Sequence, residues 1–226
     1  MNVAIIPARI GSKRIFQKNI KKFYGKPIIL HTLEKVIKSK LFDKIIVSSD
    51  STKILKLSKK KNIYLHKRNI KYSNDKATTV SAINSCIRYF KFNLSDNVCC
   101  IYPCAALLEK KDLEKTLKIL KKNSNKFVIP VLKYTHPIQR SFTMNKRAQI
   151  KLNFFKKSFT NTQKFRPSFF DAGQFYWAKT KTWLSSKSIL EKSIGFNVPI
   201  WRAVDIDDIE TWKHGEVLFK FSKSQK

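Results

Sequence analysis

The chain has 226 residues, of which 42% are hydrophobic and 12% aromatic, which suits one sizeable packed domain and excludes wholesale disorder. Its 47 lysines and arginines against 15 acidic residues give a formal charge of +32, a value that invites a nucleic-acid or membrane-surface partner. The cations are spread along the whole chain instead of forming a patch, so nucleic acid is set aside as the principal partner, and no segment is apolar for long enough to span a bilayer.

In chain order, residues 3–6 read as a first buried strand that runs into Pro7 and then into a basic turn, "ARIGSKRIFQKN". Pro27 stands where a helix begins, and "IILHTLEKVIKS" carries Ile29, Leu33, Val36 and Ile37 at helical spacing. "KIIVSSD" is a second strand, with Ser49 to Ser51 available to cap the helix "STKILKLSKKK". "IYLHK", "NVCCIYP" and "KFVIPVL" are further strands, separated by the helices "TTVSAINSCIRYF" and "KKDLEKTLKILKKN". This βα rhythm predicts an α/β fold with a mostly parallel sheet and helices on both faces. It breaks over about residues 133–170, which read as hairpin-forming strands with a basic loop, an arm inserted into a single domain covering residues 1–226. "GQFYWA" and "VPIWRAVDID" are read as two more strands, and "DDIETWKHGEVLFKF" as the closing helix.

Cys86, Cys99, Cys100 and Cys104 lack zinc-type spacing and fall mostly in apolar runs, where thiols act as small hydrophobes. "MNVAIIPAR" is too short for a secretion leader, so a reduced, cytoplasmic protein is expected. The four histidines and the tryptophans show no catalytic spacing.

In open α/β sheets, ligands sit at the carboxyl ends of the strands, so the turn after the first strand is the natural phosphate site. It matches neither the P-loop nor the dinucleotide glycine pattern. With Gly11 alone, the charge must come from Arg9, Lys13 and Lys18: a planar fork and two point charges. A second cluster lies near the other end. Asp205, Asp207, Asp208 and Glu210 fall within six positions, although the chain has few acids. Capping of the closing helix accounts for Asp207 or Asp208 together with Glu210. Asp205 and Asp207, two apart on the expected strand, face one side and suit a hard divalent cation such as Mg²⁺, with Mn²⁺ as an alternative.

The stretch "IIPARIGSKRIFQKN", followed by "GKPII", resembles the opening signature of the sugar nucleotidyltransferases that activate nonulosonic acids with CTP. Ala8, Arg9, Ser12, Lys13, Ile15, Lys18 and Asn19 fall on that signature, while Phe16 replaces its proline. "RNIKYSND" is similar to a second family segment through Arg68 and Asp75, with Asn69 in place of proline. "IYPCAALLE" is similar to the family loop after the fourth strand, with Ala106 where a second proline is common, and "VDIDD" is similar to its metal-binding segment. "DAGQFYW" looks more like the pseudaminic acid branch than the sialic acid branch.

The resemblance implies a Rossmann-like nucleotidyltransferase sheet and transfer of CMP from CTP to a nonulosonic acid with release of pyrophosphate. It assigns nucleotide contacts to Ala8, Arg9, Ser12, Lys13, Asn19, Arg68 and Asp75, with Arg9, Lys13 and Lys18 serving catalysis. It strengthens the reading of Asp205 and Asp207 as metal ligands; Gln174 and Tyr176, alternate residues of "GQFYWA" that face the cleft, are expected to reach the sugar, together with Tyr102 and Asp171. It also implies a homodimer whose arm reaches the partner's site, where Arg140, Lys157 and Arg166 would meet the sugar carboxylate. N-acetylneuraminic, legionaminic and 3-deoxy-manno-octulosonic acids are the alternative substrates. A basic nucleic-acid-binding protein and an inactive relative are the competing readings.

Overall fold

The computed structural model describes residues 1–157 and 159–225. The chain opens with β1 (Asn2–Pro7), a short antiparallel pair β2 (Lys22–Phe23) and β3 (Lys26–Pro27), and α1 (Ile28–Ser39). Then come β4 (Lys44–Ser49), α2 (Thr52–Ser58), β5 (Ile63–Lys67), α3 (Thr79–Phe90), β6 (Asn97–Ile101), α4 (Lys110–Lys122) and β7 (Phe127–Lys133). A small hairpin, β8 (Phe142–Met144) and β9 (Ile150–Leu152), precedes β10 (Phe169–Asp171), β11 (Phe175–Lys179), α5 (Thr180–Ser185), β12 (Ser193–Asn197) and α6 (Ile209–Ser224).

The main sheet runs β5-β4-β1-β6-β11-β7, with β12 and β10 also pairing to β7. β5, β4, β1 and β6 are mutually parallel, and β12 is parallel to β7. β11 is antiparallel to both β6 and β7, so β7 points the same way as β6.

Period-two alternation along the strands divides the core into two layers. Ala4, Ile6, Val47, Cys99, Ile101 and Trp177 pack on one side with the apolar faces of α1, α2 and α4. Val3, Ile5, Ile46, Val98, Cys100 and Tyr176 pack on the other with α3 and Trp183 of α5. All four cysteines are free thiols, and Cys86, Cys99 and Cys100 are buried in these layers. The helix starts are capped as their sequences suggest: Ser51 accepts from the Ile54 amide, Thr78 from the Ser81 amide and Asp208 from the Thr211 amide.

The expected strand over residues 198–207 is not formed. The eighth strand of the sheet is β12, just upstream, and residues 200–202 make a 3-10 turn followed by irregular chain. Val198 and Ala203 are buried against Leu132 of β7 and Ala172, and Ile206 against Trp212 and Phe219 of α6, and this gave the segment its apolar look. The arm leaves the sheet at β7 and returns at β10, where Lys133 faces Phe169 in antiparallel register. Among the described residues its hairpin pairs only with itself, and Phe142, Met144, Ile150, Phe155 and Phe159 on the arm are exposed. Among the described residues no helix is long and apolar enough to cross a membrane.

Candidate active site

The turn after β1 is built from main-chain ties that leave its side chains free to project. The Ala8 amide donates to the Ser48 carbonyl of β4 (2.9 Å), and the Ile10 amide to Asp50 Oδ1 (3.1 Å). Gln17 takes a left-handed conformation (φ 48°), and the Asn19 amide group donates back to the Arg9 carbonyl at 2.8 Å. Gly11 needs no special backbone freedom here: it has an ordinary φ and open space around its Cα.

A cavity of about 330 Å³ opens at this turn, at the carboxyl ends of the parallel strands. It brings together Arg9, Ser12, Lys13, Lys18, Asn19, Arg68, Asp75, Tyr102 and Asp207 from the expected site. Ala8, Asp171, Gln174, Tyr176 and Asp205 do not line it. Ala8 is fully buried beneath the turn, and Arg140, Lys157 and Arg166 of the arm are also absent from the lining. Arg14, Tyr72, Ser73, Asn74, Thr78 and Thr79 line the cavity without having been singled out in the sequence. Arg14 was one cation among 47, and the others lie on a loop and helix start whose polar residues look like ordinary caps.

Two carboxylates organise the cations. Asp75 takes Arg9 Nη1 at 2.8 Å and Lys13 Nζ at 2.6 Å. The hydrogen bonds from Lys13 and then Arg9 hold its carboxyl below the usual range. Asp207 takes Arg14 Nη2 at 2.8 Å and lies 3.6 Å from Lys18 Nζ, which also donates to the Ile206 carbonyl. Exposed pairs of this kind are weak because water screens them, so a polyanion can displace them at small cost.

Asp208 and Glu210 are accounted for by α6. Asp208 forms a capping box with Thr211, and Glu210 sits in the first turn. Asp205 and Asp207 are left over, but irregular chain positions them, not a pleated strand. Burial, and then the neighbouring charge of Asp207, push the Asp205 carboxyl up, with Lys18 opposing and Asp171 adding to the rise. Two oxygen-donor carboxylates this close, with the Asp207 charge pressing on Asp205, fit a hard divalent cation that would relieve the repulsion at Asp205. Among the described residues no group of three or more His, Cys, Asp or Glu is arranged to hold a metal. The remaining ligands of such an ion would therefore have to be substrate oxygens or water.

The residues expected to meet a sugar form a polar chain beside the cavity. Tyr176 donates to Asp171 Oδ2 at 2.8 Å, and Tyr102 shares a hydrogen bond with Thr79 at 2.8 Å. The two phenol rings meet edge to face at 5.2 Å. Burial pushes the Tyr102 hydroxyl up to about 12, so it stays a neutral donor. Gln174 is buried and donates to the Arg202 carbonyl at 2.8 Å, which ties the start of β11 to the loop that carries Asp205. That loop is held a second time by a bidentate approach of Arg202 to Asp112 on α4, at 3.0 and 3.2 Å.

The replaced prolines are absorbed. Asn69 keeps φ near −63°, the angle that a proline would impose, and its side chain accepts from the Lys71 amide. Phe16 is 79% exposed on the outside of the turn, and Ala106 is buried under α6 with Ile206 and Trp212.

A pseudaminic acid cytidylyltransferase of Campylobacter jejuni is 33% identical over 225 residues, covering 97% of this chain and 96% of that protein. An N-acylneuraminate cytidylyltransferase of Streptococcus agalactiae is 36% identical over 93 residues, covering 40% of this chain and 22% of that protein. Among solved structures, a CMP:2-keto-3-deoxy-manno-octonic acid synthetase complexed with CTP superposes with a TM-score of 0.69 at 13% identity, covering 98% of this chain and 99% of the other. That likeness establishes a shared Rossmann-like nucleotidyltransferase fold. The family model described as Cytidylyltransferase matches residues 3–181, and the chain belongs to that family.

Proposed function

We propose that the protein transfers CMP from CTP to pseudaminic acid, releasing pyrophosphate. The observation that carries this reading is the convergence of Arg9, Lys13, Arg14 and Lys18 on one cavity that also holds Asp207 and Arg68. The end-to-end match at 33% identity to a pseudaminic acid enzyme supports the choice of sugar, since an N-acylneuraminate cytidylyltransferase that also spans most of the chain is only 26% identical.

In this reaction the anomeric hydroxyl of the nine-carbon keto acid attacks the α-phosphorus of CTP. The new P–O bond forms as the bond to the β-phosphate oxygen breaks, pyrophosphate carries that electron pair away, and the hydroxyl proton passes to water. Phosphoryl chemistry of this kind depends on alignment and charge neutralisation more than on covalent help. Arg9 and Lys13 exchange Asp75 for the triphosphate and stabilise the charge that grows on the leaving pyrophosphate. Lys18, anchored on the Ile206 carbonyl, adds charge near the same oxygens. Asn19 and Arg68 hold the nucleoside end. Asp205 and Asp207 would hold Mg²⁺, for which Mn²⁺ would be a substitute, and such an ion would supply Lewis-acid neutralisation of phosphate charge.

Tyr102 and the Tyr176–Asp171 pair present donors and acceptors to the sugar. The arm, with its exposed aromatic residues, serves as the contact with a second copy in a homodimer. Arg140, Lys157 and Arg166 would then act on the partner's sugar carboxylate.

The test is pyrophosphate release from CTP with Mg²⁺ and a panel of pseudaminic, N-acetylneuraminic, legionaminic and 3-deoxy-manno-octulosonic acids. Release with pseudaminic acid that is lost in Asp207→Ala and on chelation is expected. Release with another acid alone overturns the assignment of the sugar, and silence across the panel in a folded protein overturns the reaction.

A further inference from the structure

Arg68 is 3% exposed, yet among the described residues no carboxylate is hydrogen-bonded to its guanidinium. Its Nε donates to Ser73 Oγ at 2.8 Å, and its Nη1 donates to the Ser48 carbonyl at 3.1 Å and to Ser48 Oγ at 3.4 Å. A buried cation held by neutral acceptors keeps its charge available for whatever enters the cavity it lines. The Ser48 hydroxyl can serve as such an acceptor only if its own proton points elsewhere, because a hydroxyl is a rotor with one donor.

His66 is the place for that proton. Ser48 and His66 are register partners on the parallel strands β4 and β5, and Ser48 Oγ lies 2.9 Å from His66 Nδ1. Since Arg68 Nη1 donates to Ser48 Oγ, the hydroxyl donates to Nδ1. The ring is then neutral, with its hydrogen on Nε2. The surroundings favour that form. The ring is 4% exposed, Arg68 faces it as a cation, and from α3 it meets Tyr89 at 4.8 Å and Phe90 at 6.1 Å. Burial first, and then the Arg68 charge, push the imidazole down to about 4, so it remains an acceptor throughout the physiological range.

We propose that His66 is a positioning residue for nucleotide binding: by accepting the Ser48 proton, it makes Ser48 an acceptor that holds the Arg68 guanidinium at the cavity. The proposal rests on the reading of this cavity as a CTP site. His66 touches no substrate, and the chain His66–Ser48–Arg68 carries its effect across two strands.

The test uses the full chain, with CTP titrated calorimetrically and pyrophosphate release measured at steady state, for wild type, His66→Phe, Ser48→Ala and His66→Asn. Phenylalanine keeps an aromatic ring against Tyr89 and removes the acceptor, whereas asparagine places Oδ1 where Nδ1 stood. His66→Phe and Ser48→Ala should each weaken CTP binding and raise its KM about five- to tenfold, with kcat held within about twofold and His66→Asn within about twofold of wild type. The double variant His66→Phe/Ser48→Ala should bind no more weakly than either single one, because both cut the same chain.

Unchanged CTP affinity in folded His66→Phe, or equal losses in His66→Phe and His66→Asn, overturns the proposal. If His66→Phe does not fold, Ser48→Ala decides, and unchanged affinity there is fatal to it. A wild-type protein that binds no CTP overturns the nucleotide reading itself, a result distinguishable because it appears before any variant is compared.

Discussion

Gly173 and Asp205 approach so closely that a Cβ on residue 173 would lie 3.0 Å from Asp205 Cγ and 3.1 Å from Oδ1. Gly173 also has φ +60°, and its amide donates to Asp171 Oδ1 at 2.9 Å. One glycine thus lets two carboxylates, on separate segments, approach each other. Gly173→Ala should cost about 1–2 kcal/mol from the left-handed backbone alone. It should also displace Asp205, so that pyrophosphate release falls far more than the melting temperature suggests. Thermal denaturation and steady-state turnover on the same preparation check this. A variant that melts lower yet turns over normally would show that the position of Asp205 does not matter.

Asp205 is held above its ordinary range, and the sign of the consequence follows directly. A carboxyl whose folded pKa is raised contributes stability below its unfolded pKa and loses that contribution as pH rises through the folded value. At neutral pH its ionised form is therefore a cost, set first by burial and then by Asp207. Asp205→Asn should melt at or above the wild-type temperature at pH 7, with the difference vanishing in acid, where the native carboxyl is protonated. Added Mg²⁺ should raise the melting temperature of wild type and not of Asp205→Asn, whose activity should be lost. A variant that Mg²⁺ stabilises as much as wild type would remove Asp205 from the metal site.

Much of this architecture could be read from the sequence, because alternation and amphipathic spacing are physical signatures of a two-layered sheet. Ala4 and Ile6 against Val3 and Ile5, or Cys99 against Cys100, divide between the two core layers as period two requires. The reading failed where burial comes from loops. Among the described residues β12 is an edge strand paired only to β7, and none of its residues is fully buried, so "SIGFN" carries a weak signal. The apolar residues just after it belong to a segment pinned by Arg202 and Gln174. Site residues on the turn were legible as a cluster of charge. Asp50 and Arg14 were not, because their roles as amide acceptor and partner of Asp207 exist only after folding.

The turn cations separate stability from activity. The Lys13 side chain is 82% exposed and its pair is with the exposed carboxylate of Asp75, so Lys13→Ala should shift the melting temperature by no more than about 2 °C. If Lys13 stabilises charge on departing pyrophosphate, kcat/KM for CTP should fall about 100-fold or more. The KM for CTP in wild type should also rise with ionic strength, since these cations are open to screening. Activity within a few fold of wild type would show that Lys13 is one more solvated lysine.

Arg202 and Asp112 make the opposite case, a buried pair whose worth lies in what it holds. Both side chains are nearly enclosed, and Asp112 sits above its ordinary range because burial outweighs the pull of Arg202. Breaking such a pair leaves an uncompensated buried charge, so Asp112→Ala should cost about 3–5 kcal/mol. The double variant Asp112→Leu/Arg202→Met removes both charges and should recover much of that loss. It should not recover turnover, because the loop carrying Asp205 then loses its anchor on α4 and keeps only lighter ties, from Gln174 to the Arg202 carbonyl and from Lys18 to the Ile206 carbonyl. Chemical denaturation and pyrophosphate release on the single and double variants check this. Recovery of both stability and turnover would mean that the pair contributes packing alone, and that the loop finds its place without it.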